Sequence, residues 1–189
     1  MPRYTTVMLV LGLSLVGATT FLEVVRATPA AGFSGTTLAV GRFDGFDVFN
    51  HTAPQRSAQN RGKDDDLDNE RNDHRKNGWM SLQKTRGSSD LYLQSNLWTV
   101  GGTTGWHSHP GHSLITVTAG AVTVYDGDDP ACTPHVYTVG MGFVDKGGDH
   151  IHVIRNEGVV EARTMVVQLI PANAVRRIDA ATGNPACPF

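Results

Sequence analysis

Five histidines in two clusters hold the chemistry this sequence offers. The stretch GWHSHPGHSLITVTAG, residues 105–120, contains His107, His109 and His112. Further along, KGGDHIHVIRNEG, residues 146–158, contains His150 and His152. In an extended strand, residues i and i+2 face the same way. His107 therefore projects with His109, and His150 with His152. Two imidazoles aimed together into an apolar interior are costly without partners. A divalent metal that takes one nitrogen from each ring removes that cost. A single buried histidine needs no more than a hydrogen bond. Two His-x-His pairs, each entering a strand after a glycine-rich turn, point instead to a metal. His112 has the opposite parity and faces away unless Pro110-Gly111 shifts the phase. No general base stands out: His112, Asp145 and Asp149 all read as loop residues.

The elements that must position these rings are strands. Runs with period two recur along the chain: TTLAVGRF, DVFN, WMSLQKT, DLYLQSNLWTV, SLITVTAG, AVTVYDG, HVYTVG, HIHVIRN and EARTMVVQLI. They are β-branched and aromatic, and Gly, Asp and Asn separate them. No amphipathic helix interrupts them, so the chain reads as all-β, a sandwich or barrel. The segment NAVRRIDAATG, residues 173–183, reads as one short helical turn. If the strand after the first His pair runs on without a bulge, Ser113, Ile115 and Val117 share the inward face, and Thr116 and Thr118 face out. With 189 residues there is room for one domain with a real core and some extra sequence. A formal net charge of −2 argues against an electrostatically driven nucleic-acid partner.

Residues 1–30 read as an address rather than fold. One basic residue, Arg3, precedes an uncharged apolar run, Val7 to Leu22, and small residues follow to Gly32. This is the pattern of a secretory signal peptide, cut after Ala27 or Ala30. An uncleaved anchor is the alternative, but a run of about 16 residues falls short of the roughly 20 that span a bilayer. After cleavage no stable membrane span remains, and the protein is expected to be secreted or held in the cell envelope. The two cysteines, Cys132 and Cys187, fit that compartment as one disulfide. Residues 31–89 read as N-terminal strands carrying an insert, residues 55–77, almost devoid of apolar side chains and so a solvated loop. Asp64, Asp66 and Asp68 in it do not form an EF-hand, because Asn69 and Arg75 stand where Gly and Glu are required. Residues 90–175 read as the barrel core and 176–189 as a C-terminal tail.

The histidine clusters bring a family into view: the arrangement resembles the cupin superfamily over roughly residues 90–170. Its first motif runs Gly, five residues, His-x-His, three or four residues, Glu, six residues, Gly. Here Gly101, His107-Ser108-His109, Ser113 and Gly120 fall on that spacing, with Ser113 in place of the glutamate. The second motif ends in His, three residues, Asn, which His152 and Asn156 match. Its front departs: Lys146 stands where Pro is expected, and Gly148 lies one residue too far from His152. The resemblance implies an antiparallel β-barrel of jelly-roll type, preceded here by the signal segment, with one metal inside. Carried over by position, the ligands are His107, His109 and His152, with His150 as second choice for the third.

A neutral serine hydroxyl is a poor ligand, so the site would be three imidazoles with open positions. Those suit iron, nickel, copper or zinc, and manganese less well. The resemblance implies a small-molecule substrate or ligand, and a homodimer is common among such proteins. Two functions stand side by side: a metal-dependent oxygenase acting on a small organic substrate, or a non-catalytic cupin that binds a small ligand or a metal. Tyr92, Asn96 and Trp98 alternate on DLYLQSNLW and either line the pocket or pack as plain core.

Overall fold

The computed structural model describes residues 29–52 and 78–189. The segment read as a signal peptide, residues 1–28 of it, and the charged insert at 55–77 lie outside the described residues. In chain order the strands are β1 (Ala31–Phe43), β2 (Asp47–Thr52), β3 (Trp79–Lys84), β4 (Ser89–Thr103), β5 (His107–Ser108) and β6 (Ser113–Ala119). There follow β7 (Ala121–Asp126), β8 (His135–Thr138), β9 (Gly142–Asp145), β10 (His152–Arg155), β11 (Ala162–Pro171) and β12 (Ile178–Asp179). There is no helix among the described residues, and the antiparallel strands close into a nearly complete barrel.

The main path of the sheet runs β12-β5-β10-β4-β11-β6-β9, with β1 also on β4 and β7 on both β10 and β8. A separate two-stranded ribbon joins β2 and β3. β4 is the spine. It pairs with β1 from Phe43↔Ser89 to Ala31↔Thr103 and with β11 from Ala162↔Trp98 to Pro171↔Ser89.

The two-residue alternation is plain in β6, where Ser113, Ile115 and Val117 are buried while Leu114, Thr116 and Thr118 are exposed. Gly120 lets β6 turn directly into β7. It holds φ +64°, and a Cβ there would lie 2.5 Å from the Glu161 carbonyl oxygen, so only glycine fits. The segment read as a helical turn is extended instead at its centre. Ile178 pairs with Ser108 and Asp179 with His107, and Ala180 N–H donates to the Trp106 carbonyl at 3.0 Å. The short strand β5 leaves backbone groups that need a partner, and this segment supplies it.

Two apolar clusters lie back to back. One holds Trp98, Val117, Val122, Val124, Ile154 and Ala162, with Phe33, Tyr137 and Phe143 against them. The other holds Trp106, Tyr125, Val153 and Cys187. Each large side chain so buried contributes roughly 1.5–3 kcal/mol. Adjacent residues Val153 and Ile154 of β10 fall in different clusters, as the pleat requires.

The C-terminal tail belongs to the second cluster. Cys132 and Cys187 form a disulfide, with Cα atoms 5.3 Å apart. Asn184 Nδ2 donates to the carbonyls of Asp126 (3.0 Å) and Asp129 (2.7 Å). Phe189 stacks on Trp106 at 6.4 Å between ring centroids, and the Arg155 guanidinium lies over its ring at 4.1 Å.

Asn156 is wholly buried. Its Nδ2 donates to the carbonyls of Trp98, Thr99 and Val160, and its Oδ1 accepts from Gly158 N–H at 3.0 Å. It ties the end of β10 to the end of β4.

Candidate metal centre

Three of the five histidines meet inside the barrel. β5 brings His107, β10 brings His152, and the two are direct cross-strand partners. The turn after β5 brings His109. Ring centroids are 4.4 Å apart for His107 and His152, 4.8 Å for His107 and His109, and 5.6 Å for His109 and His152. One nitrogen of each ring lies within 4.8 Å of one in each of the others.

Hydrogen bonds fix which nitrogen is free. His107 Nδ1–H donates to the Gly105 carbonyl at 2.8 Å. His109 Nδ1–H donates to the Arg176 carbonyl at 2.5 Å. A carbonyl only accepts, so each Nδ1 must carry a proton, and in the neutral ring the lone pair is then on Nε2. That is how metal-ligating histidines are held: by the nitrogen that does not ligate. His152 Nδ1 is buried without a hydrogen bond; the nearest charged atom is Asp145 Oδ1 at 3.6 Å.

The electrostatics keep two of the rings neutral. Burial, then repulsion from His152, Arg177 and His109, lowers the His107 pKa to about 2, with the Gly105 bond opposing. Burial likewise lowers His152 to about 4, against the raising effect of Asp145. Neutral imidazole is the ligating form, so these residues suit a metal before one arrives.

His150 sits outside this triad. Its ring centroid is 6.0 Å from that of His152. Its Nε2 is 3.2 Å from Asp126 Oδ1, yet neither ring nitrogen is aligned for a hydrogen bond. It groups with Asp145 and His152 as a second set of ligating atoms within 4.8 Å. His112 lies apart, beside Arg86, Leu169 and Pro171 at a surface groove.

Ser113 stands buried at the head of β6. Its register partner is Asp145, the last residue of β9, and its Oγ donates to Asp145 Oδ2 at 3.2 Å. Asp145 is not a loop residue. It is 4% exposed, its Oδ1 accepts from Gly147 N–H at 3.0 Å, and its Oδ2 lies 3.6 Å from His109 Nε2. A carboxylate therefore stands beside the triad, carried by the neighbouring strand. Gly147 makes that approach possible: at φ +68° it presses on Gly111, where a Cβ would come within 2.3 Å. The one clue in sequence was the short alternating run GFVD ahead of Lys-Gly-Gly. Which strand it pairs with, and in what register, could not be read from it.

The triad opens on a cavity of about 250 Å³ with Phe33, Asn96, Trp98, Ile115, Gln168 and Arg176 among its walls. Tyr92 is not in that wall; its ring lies under the Arg176 guanidinium at 4.0 Å. Trp106 faces the tail instead.

Gly101 and Gly120, which frame the first histidine motif, both take positive φ, +75° and +64°. The spacing of that motif is thus the spacing of two left-handed turns around a strand that delivers His107 and His109 to the inside of an antiparallel barrel, opposite His152.

The fold is the antiparallel, nearly closed β-barrel that the histidine motifs lead one to expect.

The sequence matches no protein-family model and no curated protein. Solved structures similar to this barrel include an oxalate oxidase, at 22% identity over 43% of this chain and 46% of that one, TM-score 0.37. Another is a cupin superfamily protein from Desulfitobacterium hafniense, at 15% identity over 42% and 67%, TM-score 0.37. A third is a protein with a double-stranded β-helix domain from Klebsiella pneumoniae, at 20% identity over 47% and 70%, TM-score 0.39. The chain spans about half the length of the oxalate oxidase. These likenesses concern the barrel alone.

Proposed function

We propose that this chain is an exported cupin that holds one divalent transition metal through His107, His109 and His152, and that it serves as a metal-dependent oxygenase on a small organic substrate. The observation that carries the reading is the pair of anchored Nδ1 atoms, which leaves the Nε2 lone pairs of His107 and His109 for one metal beside His152. When bound, such a metal supplies Lewis acidity and, if it is iron or copper, electron exchange with oxygen.

The protein's own contributions are positional. Gly105 and Arg176 carbonyls hold two rings. Asp145 brings a negative charge beside the triad, held in place by Ser113 and Gly147. Trp98 and Phe33, packed at 5.0 Å between centroids, give the cavity an apolar wall that limits water. The disulfide supports export, since such bonds persist in oxidising compartments.

The test is elemental analysis of protein purified without a metal-chelating tag, followed by oxygen uptake with iron restored. One metal per chain is expected, lost in His109→Ala and kept in His51→Ala. Absence of stoichiometric metal would overturn the site. Metal binding with no turnover on any of a panel of small acids, phenols and thiols would replace the oxygenase by a binding protein.

A further inference from the structure

Beside its apolar walls the cavity carries a polar patch of Gln94, Asn96, Gln168 and Arg176, and the one cation in that patch lacks a counter-ion among the described residues. Arg176 Nε donates to Gln168 Oε1 at 3.0 Å, Nη1 to Thr37 Oγ1 at 3.0 Å, and Nη2 to Gln94 Oε1 at 2.6 Å. All three acceptors are neutral, and no carboxylate pairs with Arg176 among the described residues. Its neighbour Arg177 differs, with Asp179 Oδ1 at 2.5 Å.

Arginine donates only, so its partners must turn their oxygens toward it. Gln94 then faces Asn96 with its amide nitrogen, and the two are hydrogen-bonded, Nε2 to Oδ1. The oxygens of Gln168, Gln94 and Asn96 thereby each accept one bond. Asn96 and Gln168 each keep an amide NH2 for a molecule in the cavity. Arg176 keeps two of its five N–H groups free as well. A partly buried charge without a counter-charge is costly, and this one is held by residues of three strands and by Tyr92 beneath it.

We propose that Arg176, with Asn96 and Gln168, forms a subsite for the carboxylate of a short-chain organic acid, whose other end faces the histidine triad. A planar guanidinium fork matches a carboxylate, and the amide N–H groups of Asn96 and Gln168 add donors beside it. The cavity volume, about 250 Å³, lies just below the usual range for drug-sized ligands and suits a small acid. The proposal names the substrate class for the reading above and rests on the triad being its reacting end.

The experiment separates the two. Binding of propionate, succinate and benzoate, each beside its amide, is measured by calorimetry on the full chain, both zinc-loaded and stripped with chelator. At least one acid is expected to bind tenfold or more tighter than its amide in both forms. Arg176→Gln should lose that preference while keeping its zinc, since the backbone carbonyl that holds His109 is untouched. Arg176→Lys, which keeps the charge without the fork, should retain part of it. Equal binding of acid and amide, no binding of any acid, or an acid preference unchanged in Arg176→Gln would each overturn the subsite. Acid binding seen only with zinc and indifferent to Arg176 would overturn it too, leaving the metal reading intact. A stripped chain that selects acids but never takes up zinc would do the reverse.

Discussion

Replacing both Cys132 and Cys187 by alanine should cost a large part of the stability of the fold. The bond closes a loop of 55 residues that contains β8 to β12, so it restricts much of the unfolded barrel. In the chain-entropy account, a loop of that length is worth about 4 kcal/mol at 25 °C. With a urea dependence of about 2 kcal/mol per molar, the unfolding midpoint should fall by about 2 M. The assay is equilibrium urea unfolding followed by the fluorescence of the buried Trp98 and Trp106, with chelator present so that metal linkage adds nothing. Trp106 should report earliest, because Phe189 stacks on it and the tail is held there by Cys187. A midpoint lowered by less than about 0.5 M would refute the reasoning, since that is a quarter of the shift expected from loop closure. It would mean that Asn184 and Phe189 hold the tail without covalent help.

Three further outcomes are expected. The pH dependence of zinc binding should be shallow between pH 6.5 and 4.5. His107 and His152 are already neutral there, with pKa values lowered to about 2 and about 4, so protons do not compete for them until the pH falls through those values. In the metal-free chain the same shifts leave stability full above the ordinary histidine value of 6.5 and remove it as the pH drops toward 4 and then 2. The logarithm of zinc affinity, from competition titrations, should fall by no more than about one per pH unit; a slope near three would contradict the burial argument. Asn156→Ala should destabilise the chain by about 1–3 kcal/mol by leaving buried backbone groups without partners, with zinc content unchanged. Unaltered stability by urea unfolding, or lost zinc, would show that its role has been misread.

The strands were legible because alternation survives in most of them, and β6 is the clearest case. The pairing of His107 with His109 followed from strand parity. Their neighbour Ser113 kept the inward parity even though the strand breaks at Pro110 and Gly111, because that turn spans an even number of residues. What sequence could not give was adjacency across strands. Asp145 reads as an isolated acid ahead of a glycine turn. Only the antiparallel register of β6 and β9 sets it beside Ser113 and so beside the triad. Arg176 was hidden for a related reason: its segment resembles a helical turn, and its meaning comes from Thr37, Gln94 and Gln168, which lie on three different strands. Tyr92 shares the parity of Asn96 and Trp98, but the bulk of Arg176 stands between its ring and the cavity.

Parity also divides the labour of β5 and β10. On each, alternate residues serve opposite sides: His107 and His152 the cavity, Trp106 and Val153 the clamp made by the tail. The two sides can therefore drift independently by substitution, since a change of side chain on one face leaves the other untouched. They cannot drift by insertion. One added residue between Gly105 and Trp106 would turn the tryptophan into the histidine-lined cavity and His107 onto Phe189, exchanging the two roles at a stroke. The length of this short segment is thus under a constraint that the identity of most of its residues is not.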